Sequence, residues 1–469
     1  MTSYNTIVAR MRAAVGISTV ALLPVLGGCS DVTDSLLEAT DPDVISPENA
    51  QSPEGALSLY NGALSRLRTI TAGGESTWLF GGLLADEWST SSTFVQNDET
   101  DQRAIQVNNS TVTGEFRALA RARQSATEAI RTMREFREDE TVNIAELYFV
   151  RAFAELQMAS DFCNGIPLSQ QEADGTIVYG DPLPVDAVFA AAIADADSGL
   201  ALATGTSAAA VAVQNALKIT KARAQLGRAQ FAAAATTVSG IATSYAYNVT
   251  FAVGSGDNIL WNQPASQRRY TVGDSLEGRG RNILVRNAIP FFSSQDPRLP
   301  VRYTVSARGD TTISQDGLTP SRTTTLFART TATPVVSGLD ARLIEAEARL
   351  QTNDFAGMMT ILNALRASPP KLGEVQPPAM AALPTPATRD AAIDLLFREK
   401  AFWTFSRGQR LGDMRRLIRQ YNRPQTQVFP VGTHYRGGNY GTDVNLPVPQ
   451  AEENNPSLGG GPACIDRNA

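Results

Sequence analysis

The sequence predicts a mostly α-helical domain in which helix-turn-helix pairs pack against a loop-rich, partly irregular face. Three observations carry this. Alanine is heavily used and alternating β-branched runs are scarce, a composition that favours helix over strand. Several segments place apolar residues at i, i+3 and i+4, the mark of a helix with one buried face. Two stretches, 72–112 and 245–337, lack that period and hold Ser, Thr, Asn, Gly, Arg and aromatic residues instead.

The chain opens with Arg10 and Arg12, then a small, apolar run from Ala13 to Leu26. This run is shorter than the roughly 20 residues a bilayer-spanning helix needs and fits a signal-peptide core. Leu26-Gly27-Gly28 puts small residues directly before Cys29, as a lipoprotein peptidase requires. The expected organisation is a removed signal peptide over 1–28, a lipidated Cys29 with a tether to residue 47, and one α-helical domain over 48–469. Ser30, Asp31 and Asp34 resemble the acidic export signal of surface-exposed bacterial lipoproteins.

Ser52-Pro53-Glu54 supplies an N-cap, a first-turn proline and a first-turn acid. A helix is expected to Thr69, burying Ala56, Leu59, Tyr60, Ala63, Leu64 and Leu67. Further helices are expected over Glu115–Glu138, Asn143–Ala159 and Pro184–Ala203. The helix over Asn143–Ala159 has the cleanest apolar face. Two helix pairs follow. Ala212–Gly227 precedes a helix from Gln230. Leu339, Leu343, Ala346 and Leu350 line another, with Asn353-Asp354 as the turn and Phe355, Met358, Leu362 and Leu365 on its partner. Turns this short force antiparallel packing, and the pairs resemble degenerate tetratricopeptide units. A Pro-rich connection over Pro369–Pro386 leads to the last long helix, from Thr388-Arg389-Asp390 to about Ser406.

Of 41 basic residues, the expected signal segment removes Arg10 and Arg12, leaving 39 against 47 acids and a net charge of −8. An acidic chain without a basic cluster is a poor polyanion binder, which argues against nucleic acid as a partner. With Cys29 acylated, Cys163 and Cys464 remain. In an oxidising envelope they are able to form one disulfide, worth up to about 5 kcal/mol by chain entropy; the alternative is two unpaired thiols.

Several ordered motifs resemble one family. Asn61-Gly62 lies in the first helix and Leu84-Ala85-Asp86-Glu87 follows. Arg151-Ala152-Phe153 and Gly165-Ile166-Pro167-Leu168 come next, then Asp296-Pro297-Arg298-Leu299. Ile344-Glu345-Ala346-Glu347-Ala348 precedes Leu362-Asn363-Ala364-Leu365-Arg366. The C-terminal signature comprises Arg398-Glu399, Arg407-Gly408-Gln409-Arg410 and Asp413-Met414-Arg415-Arg416, closed by Leu446-Pro447-Val448-Pro449 and Glu453-Asn454-Asn455-Pro456. With the lipobox, these resemble the SusD/RagB family of outer-membrane nutrient-uptake lipoproteins. The resemblance implies a cell-surface, lipid-anchored protein. It would capture an oligosaccharide or peptide nutrient and deliver it to a SusC-like TonB-dependent outer-membrane barrel. Arg407, where the family usually has Glu, and Phe402-Trp403 depart from the pattern. The motifs themselves read as fold determinants. Gly408 suits the left-handed end of a helix, and Arg410 and Asp413 are placed to pair at i, i+3.

Chemistry-bearing signals are few. The only histidine, His434, lies in a Gly-rich loop, and neither a zinc-spaced Cys/His cluster nor a phosphate-cradling loop is present. No cofactor, metal or catalytic residue is expected. Binding has better support, because sugars offer apolar C–H faces and a rim of hydroxyls. The expected ligand-binding residues are Trp78 and Trp88 in the first irregular stretch, with Trp261, Tyr270 and Arg268 in the second. Asn262, Gln263 and Arg269 lie near the second set. Any of these rings is also able simply to pack beneath its own loop. Two readings stand beside nutrient capture: a tetratricopeptide-type scaffold lipoprotein that binds envelope proteins, and a lipid-anchored glycosidase. The scaffold reading gains if Trp78 and Trp88 are buried and no polar-lined pocket lies beside them.

Overall fold

The computed structural model describes residues 51–469. The expected signal segment 1–28, the lipidated Cys29 and the tether to residue 47 lie outside the described residues.

Helix α1, Pro53–Ile70, starts as its sequence dictates: the Ser52 hydroxyl accepts the Gly55 N–H at 3.0 Å and Pro53 fills the first turn. After α2, Thr77–Leu84, and α3, Val95–Asp101, come the long helices α4, Ser110–Phe136, and α5, Thr141–Asp161. Asn109 caps α4 by accepting two backbone N–H groups. Then follow α6, Val185–Leu202, α7, Ala208–Gly227, and α8, Phe231–Val238. Each long helix packs on its sequence neighbours: α1 on α4, α4 on α5, α5 on α6 and α7, and α7 on α8. Short turns and small apolar faces produce this antiparallel stacking. The irregular stretch holds α9, Ile259–Trp261, and a π-helical turn, Asn262–Ser266. The C-terminal part comprises α10, Gly338–Gln351, α11, Phe355–Ala367, α12, Arg389–Trp403, α13, Arg410–Arg419, and α14, Gln425–Val428. Helix α10 packs on α8 and so joins the two helix pairs. Strands among the described residues form two-stranded antiparallel ladders only. The fold is the mostly helical, tetratricopeptide-like one expected, and each expected long helix is present to within a few residues.

The stretch 72–112 differs from the expectation of an irregular segment, because α2 and α3 lie within it. Thr77-Trp78-Leu79-Phe80-Gly81-Gly82-Leu83-Leu84 is apolar on every side and every one of its residues is buried. A helix buried all round shows no amphipathic period to read.

The sequence motifs meet in space as ion pairs. Arg298 donates to Asp296 and, through both terminal nitrogens, to Glu399 at 2.8 and 3.0 Å; Arg366 reaches the same Glu399 at 3.1 Å. Three motifs, of which Arg298 and Glu399 are 101 residues apart, thus converge on one buried carboxylate. A second convergence is Glu347 of α10, which receives Lys400 at 3.0 Å, the Tyr421 hydroxyl at 2.6 Å and the Arg416 guanidinium. Arg407 forks onto Asp340 at 2.8 and 3.0 Å, and Asp340 closes a capping box with Ser337. The departure from the family pattern at Arg407 is therefore matched by a buried partner.

Gly408 has φ +63°, the left-handed conformation expected. The expected Arg410–Asp413 pair is not made. A helical turn does restart, but Arg410 donates to the Ala85 carbonyl at 2.9 Å while Asp413 accepts Lys400 and Arg416. Cys163 and Cys464 are joined by a disulfide, 5.9 Å apart at Cα. The Asn164 side chain bonds Asp466 beside it.

Candidate functional site

The expected ligand residues part company in the structure. Trp78 and Trp88 are 0% exposed. Trp78 lies against Gly408, and the Trp88 Nε1 donates to the Ser406 hydroxyl at 2.9 Å while its ring meets Phe405. A ring covered on both faces offers no platform to a ligand, so the expectation for both tryptophans is corrected: they are core. Arg268 is half-buried and holds loops together. It has φ +56°, donates to the Ile313 carbonyl at 3.1 Å, and its own carbonyl accepts the Ser91 hydroxyl and the Gln315 N–H. Trp261 is half-buried and packs against the main apolar cluster.

Tyr270 does line a cleft, of about 180 Å³. Local structure explains how it forms. The strand Trp88–Thr90 pairs antiparallel with Tyr270–Val272, putting Thr90 opposite Tyr270. The pairing extends outward as the Ser91 N–H donates to the Arg269 carbonyl at 3.0 Å. Phe94, at the start of α3, is thereby brought to Arg269, whose guanidinium lies 4.3 Å from the ring centroid. The first turn of α3 also supplies Asn97, which is buried and lines the cleft beside Tyr270. The first turns of α4 supply Thr111 and Glu115. The π-helical turn supplies Gln263, whose carbonyl accepts the Arg269 N–H at 2.9 Å. Single π-turns of this kind recur at functional sites because the extra residue re-aims the side chains around it.

The cleft combines apolar and polar recognition. Phe94 remains 46% exposed although Arg269 covers part of it. Two ionisable groups at the cleft carry buried atoms without a partner: Arg269 Nε and Glu115 Oε2. Arg269 and Glu115 form no ion pair with each other. Burial pushes the Glu115 carboxyl well above the usual carboxylate range, and Asp161 and Glu75 push it the same way. Burial also raises the Tyr270 hydroxyl, Glu115 adds to this, and the neighbouring Asn97 side chain opposes it. The cleft is therefore lined by donors, acceptors and one open ring.

Sequence reasoning located this region through Tyr270, Gln263 and Arg269 but did not single out Phe94 or Asn97. The available signal was Phe94 immediately before a polar helical turn, in contrast to Trp78 within an unbroken apolar run.

No family model and no curated protein matches the sequence. Solved structures do match by fold. A SusD-like carbohydrate binding protein from Bacteroides fragilis superposes with a TM-score of 0.61 at 14% identity, covering 86% of this chain and 98% of that one. A SusD superfamily protein from Parabacteroides distasonis gives 0.59 at 15% identity, covering 86% and 98%. A SusD/RagB family protein from Bacteroides thetaiotaomicron gives 0.54 at 12%, covering 77% and 87%. The protein has the fold of the SusD superfamily, the family that its sequence motifs resemble.

Proposed function

We propose that this protein captures an oligosaccharide, without covalent chemistry, in the cleft framed by Phe94, Asn97, Glu115, Gln263, Arg269 and Tyr270. Lipid on Cys29 then holds it at the outer membrane, facing the cell surface, and the captured nutrient passes to a SusC-like TonB-dependent barrel. One observation carries the binding claim: a half-exposed Phe94 ring shares its cleft with the polar side chains of Asn97, Glu115, Gln263 and Arg269. A polyhydroxyl ligand offers hydrogen bonds to those side chains and a C–H face to the ring. The cleft's volume corresponds to about six waters, so it would seat one sugar unit and leave the rest of a chain outside. A neighbour of the same fold is described as a carbohydrate binding protein, which agrees with this reading. The scaffold alternative requires buried tryptophans with no polar-lined pocket beside them. The tryptophans are buried, yet Ser76 and Leu79, on either side of Trp78, line this polar cleft.

The test is a glycan array followed by calorimetry on the best binder. Phe94→Ala should weaken binding about tenfold, the loss of one ring contact of about 1.4 kcal/mol, with the helical circular dichroism unchanged. An array with no binder, or equal affinity for Phe94→Ala and wild type, overturns the proposal.

A further inference from the structure

The cleft that frames the proposed oligosaccharide carries an unanswered positive charge. Arg269 is half-buried in its wall. Its Nε is closed off from solvent, but its two terminal nitrogens remain open and make no hydrogen bond or ion pair among the described residues. The guanidinium lies 4.3 Å from the Phe94 ring centroid. A guanidinium stacked on a ring is held in position by it and keeps its in-plane N–H groups for a planar partner.

No carboxylate of the protein takes that role. Glu115 is the only acid lining the cleft among the described residues; it forms no ion pair with Arg269, and burial pushes it towards its neutral form. Acids that flank the cleft are already engaged: Glu75 with Arg121, Asp98 with Arg436 at 3.2 Å and Asp257 with Arg329 at 2.6 Å. Ser76, Asn97, Thr111 and Gln263, the other polar side chains of the cleft besides Tyr270, carry no charge. An unpaired cation in a partly buried wall attracts an anion more strongly than one in open water.

We propose that the glycan bound here is acidic, and that the cleft seats a uronate unit whose carboxylate is forked by the terminal nitrogens of Arg269. This rests on the reading of the cleft as an oligosaccharide site and adds the class of sugar. A carboxylate presents two coplanar acceptors that match the guanidinium edge. The ring hydroxyls of the same unit reach Asn97 and Gln263, and a C–H face lies on the open part of Phe94. A neutral sugar offers only hydroxyls to the guanidinium and leaves its charge unanswered.

The probes are trigalacturonate, trimannuronate and glucuronate-bearing xylotriose, each beside its carboxyl-reduced counterpart. They are titrated calorimetrically into the full-length protein at constant ionic strength. At least one acidic probe should bind saturably. Reducing its carboxyl should weaken binding about tenfold, the loss of a charge-assisted hydrogen-bond pair. Arg269→Gln should cost the acidic probe about tenfold more than the carboxyl-reduced one. A role for Arg269 in merely supporting Phe94 would weaken both probes equally. The proposal is overturned if no acidic probe binds at millimolar concentration, if acidic and reduced forms bind alike, or if Arg269→Gln weakens both forms to the same degree. A neutral glycan that binds best and loses affinity in Phe94→Ala overturns the acidic class while leaving the oligosaccharide reading in place; a glycan array without any binder overturns both.

Discussion

Replacing Glu347 with Gln tests whether the buried charge network stabilises the helix pairs. Glu347 is fully buried and receives Lys400, Tyr421 and Arg416. Burial alone would raise its carboxyl; Arg416, and after it Lys400, reverse the effect and hold it at about 2, against an ordinary 4.5. That difference, at 1.36 kcal/mol per unit, is worth about 3 kcal/mol to the folded state. Above pH 4.5 both folded and unfolded chains carry the ionised group and the full benefit is present. As the pH falls, the unfolded chain takes up the proton first, and the benefit drains away between about 4.5 and 2. Glu347→Gln keeps the shape but leaves Lys400 and Arg416 with only Asp413 as a carboxylate partner. Losing one member of a buried ionic cluster costs about 3–5 kcal/mol. Urea unfolding at pH 7 should show that loss, and the gap from wild type should narrow by about 2 kcal/mol at pH 3. A loss below about 1 kcal/mol at pH 7, or one equally large at pH 3, refutes the reasoning.

Two other substitutions probe different parts of the chain. Gly408→Ala puts a Cβ 2.1 Å from the Trp78 ring at φ +63°; it should cost about 2–4 kcal/mol, and an unchanged melting temperature contradicts this. Cys29→Ala should leave glycan affinity intact and release the protein from the outer-membrane fraction; retention after a high-salt wash places the anchor elsewhere.

The helical part of the fold was legible because its signals are local. Ser52, Asn353-Asp354 and Thr388 mark ends, and i, i+3, i+4 spacing marks the buried faces. Helix α2 was not legible, since a segment buried on every side has no period. Trp78 and Trp88 were misplaced for the same reason: ring size argues equally for ligand and for core, and only their neighbours decide. Those neighbours, Phe405, Ser406 and Gly408, lie more than 300 residues away. The motif residues were correctly read as structural, but their partners were not. Arg410 looked toward Asp413 in the sequence and finds Ala85 in the fold. For the cleft, half the set was visible in 263–270; the other half required the Thr90–Tyr270 register, which no spacing rule supplies.

The turn after α12 bears on how the cleft comes into being. Ser406 takes the Trp88 indole on its hydroxyl and gives its N–H to Glu87; Gly408 seats Trp78; Arg410 holds the Ala85 carbonyl. The segment that carries Phe94 is thus fastened by residues near the far end of the chain. Contacts of such separation form late, after loop closure has been overcome. A chain growing from its N-terminus holds every residue of the cleft by Tyr270 yet lacks the fastening until Arg410 has been added. Ligand recognition is therefore expected to be among the last properties this protein acquires. A C-terminally truncated form that keeps all the contact residues should fail to bind the glycan proposed for the cleft.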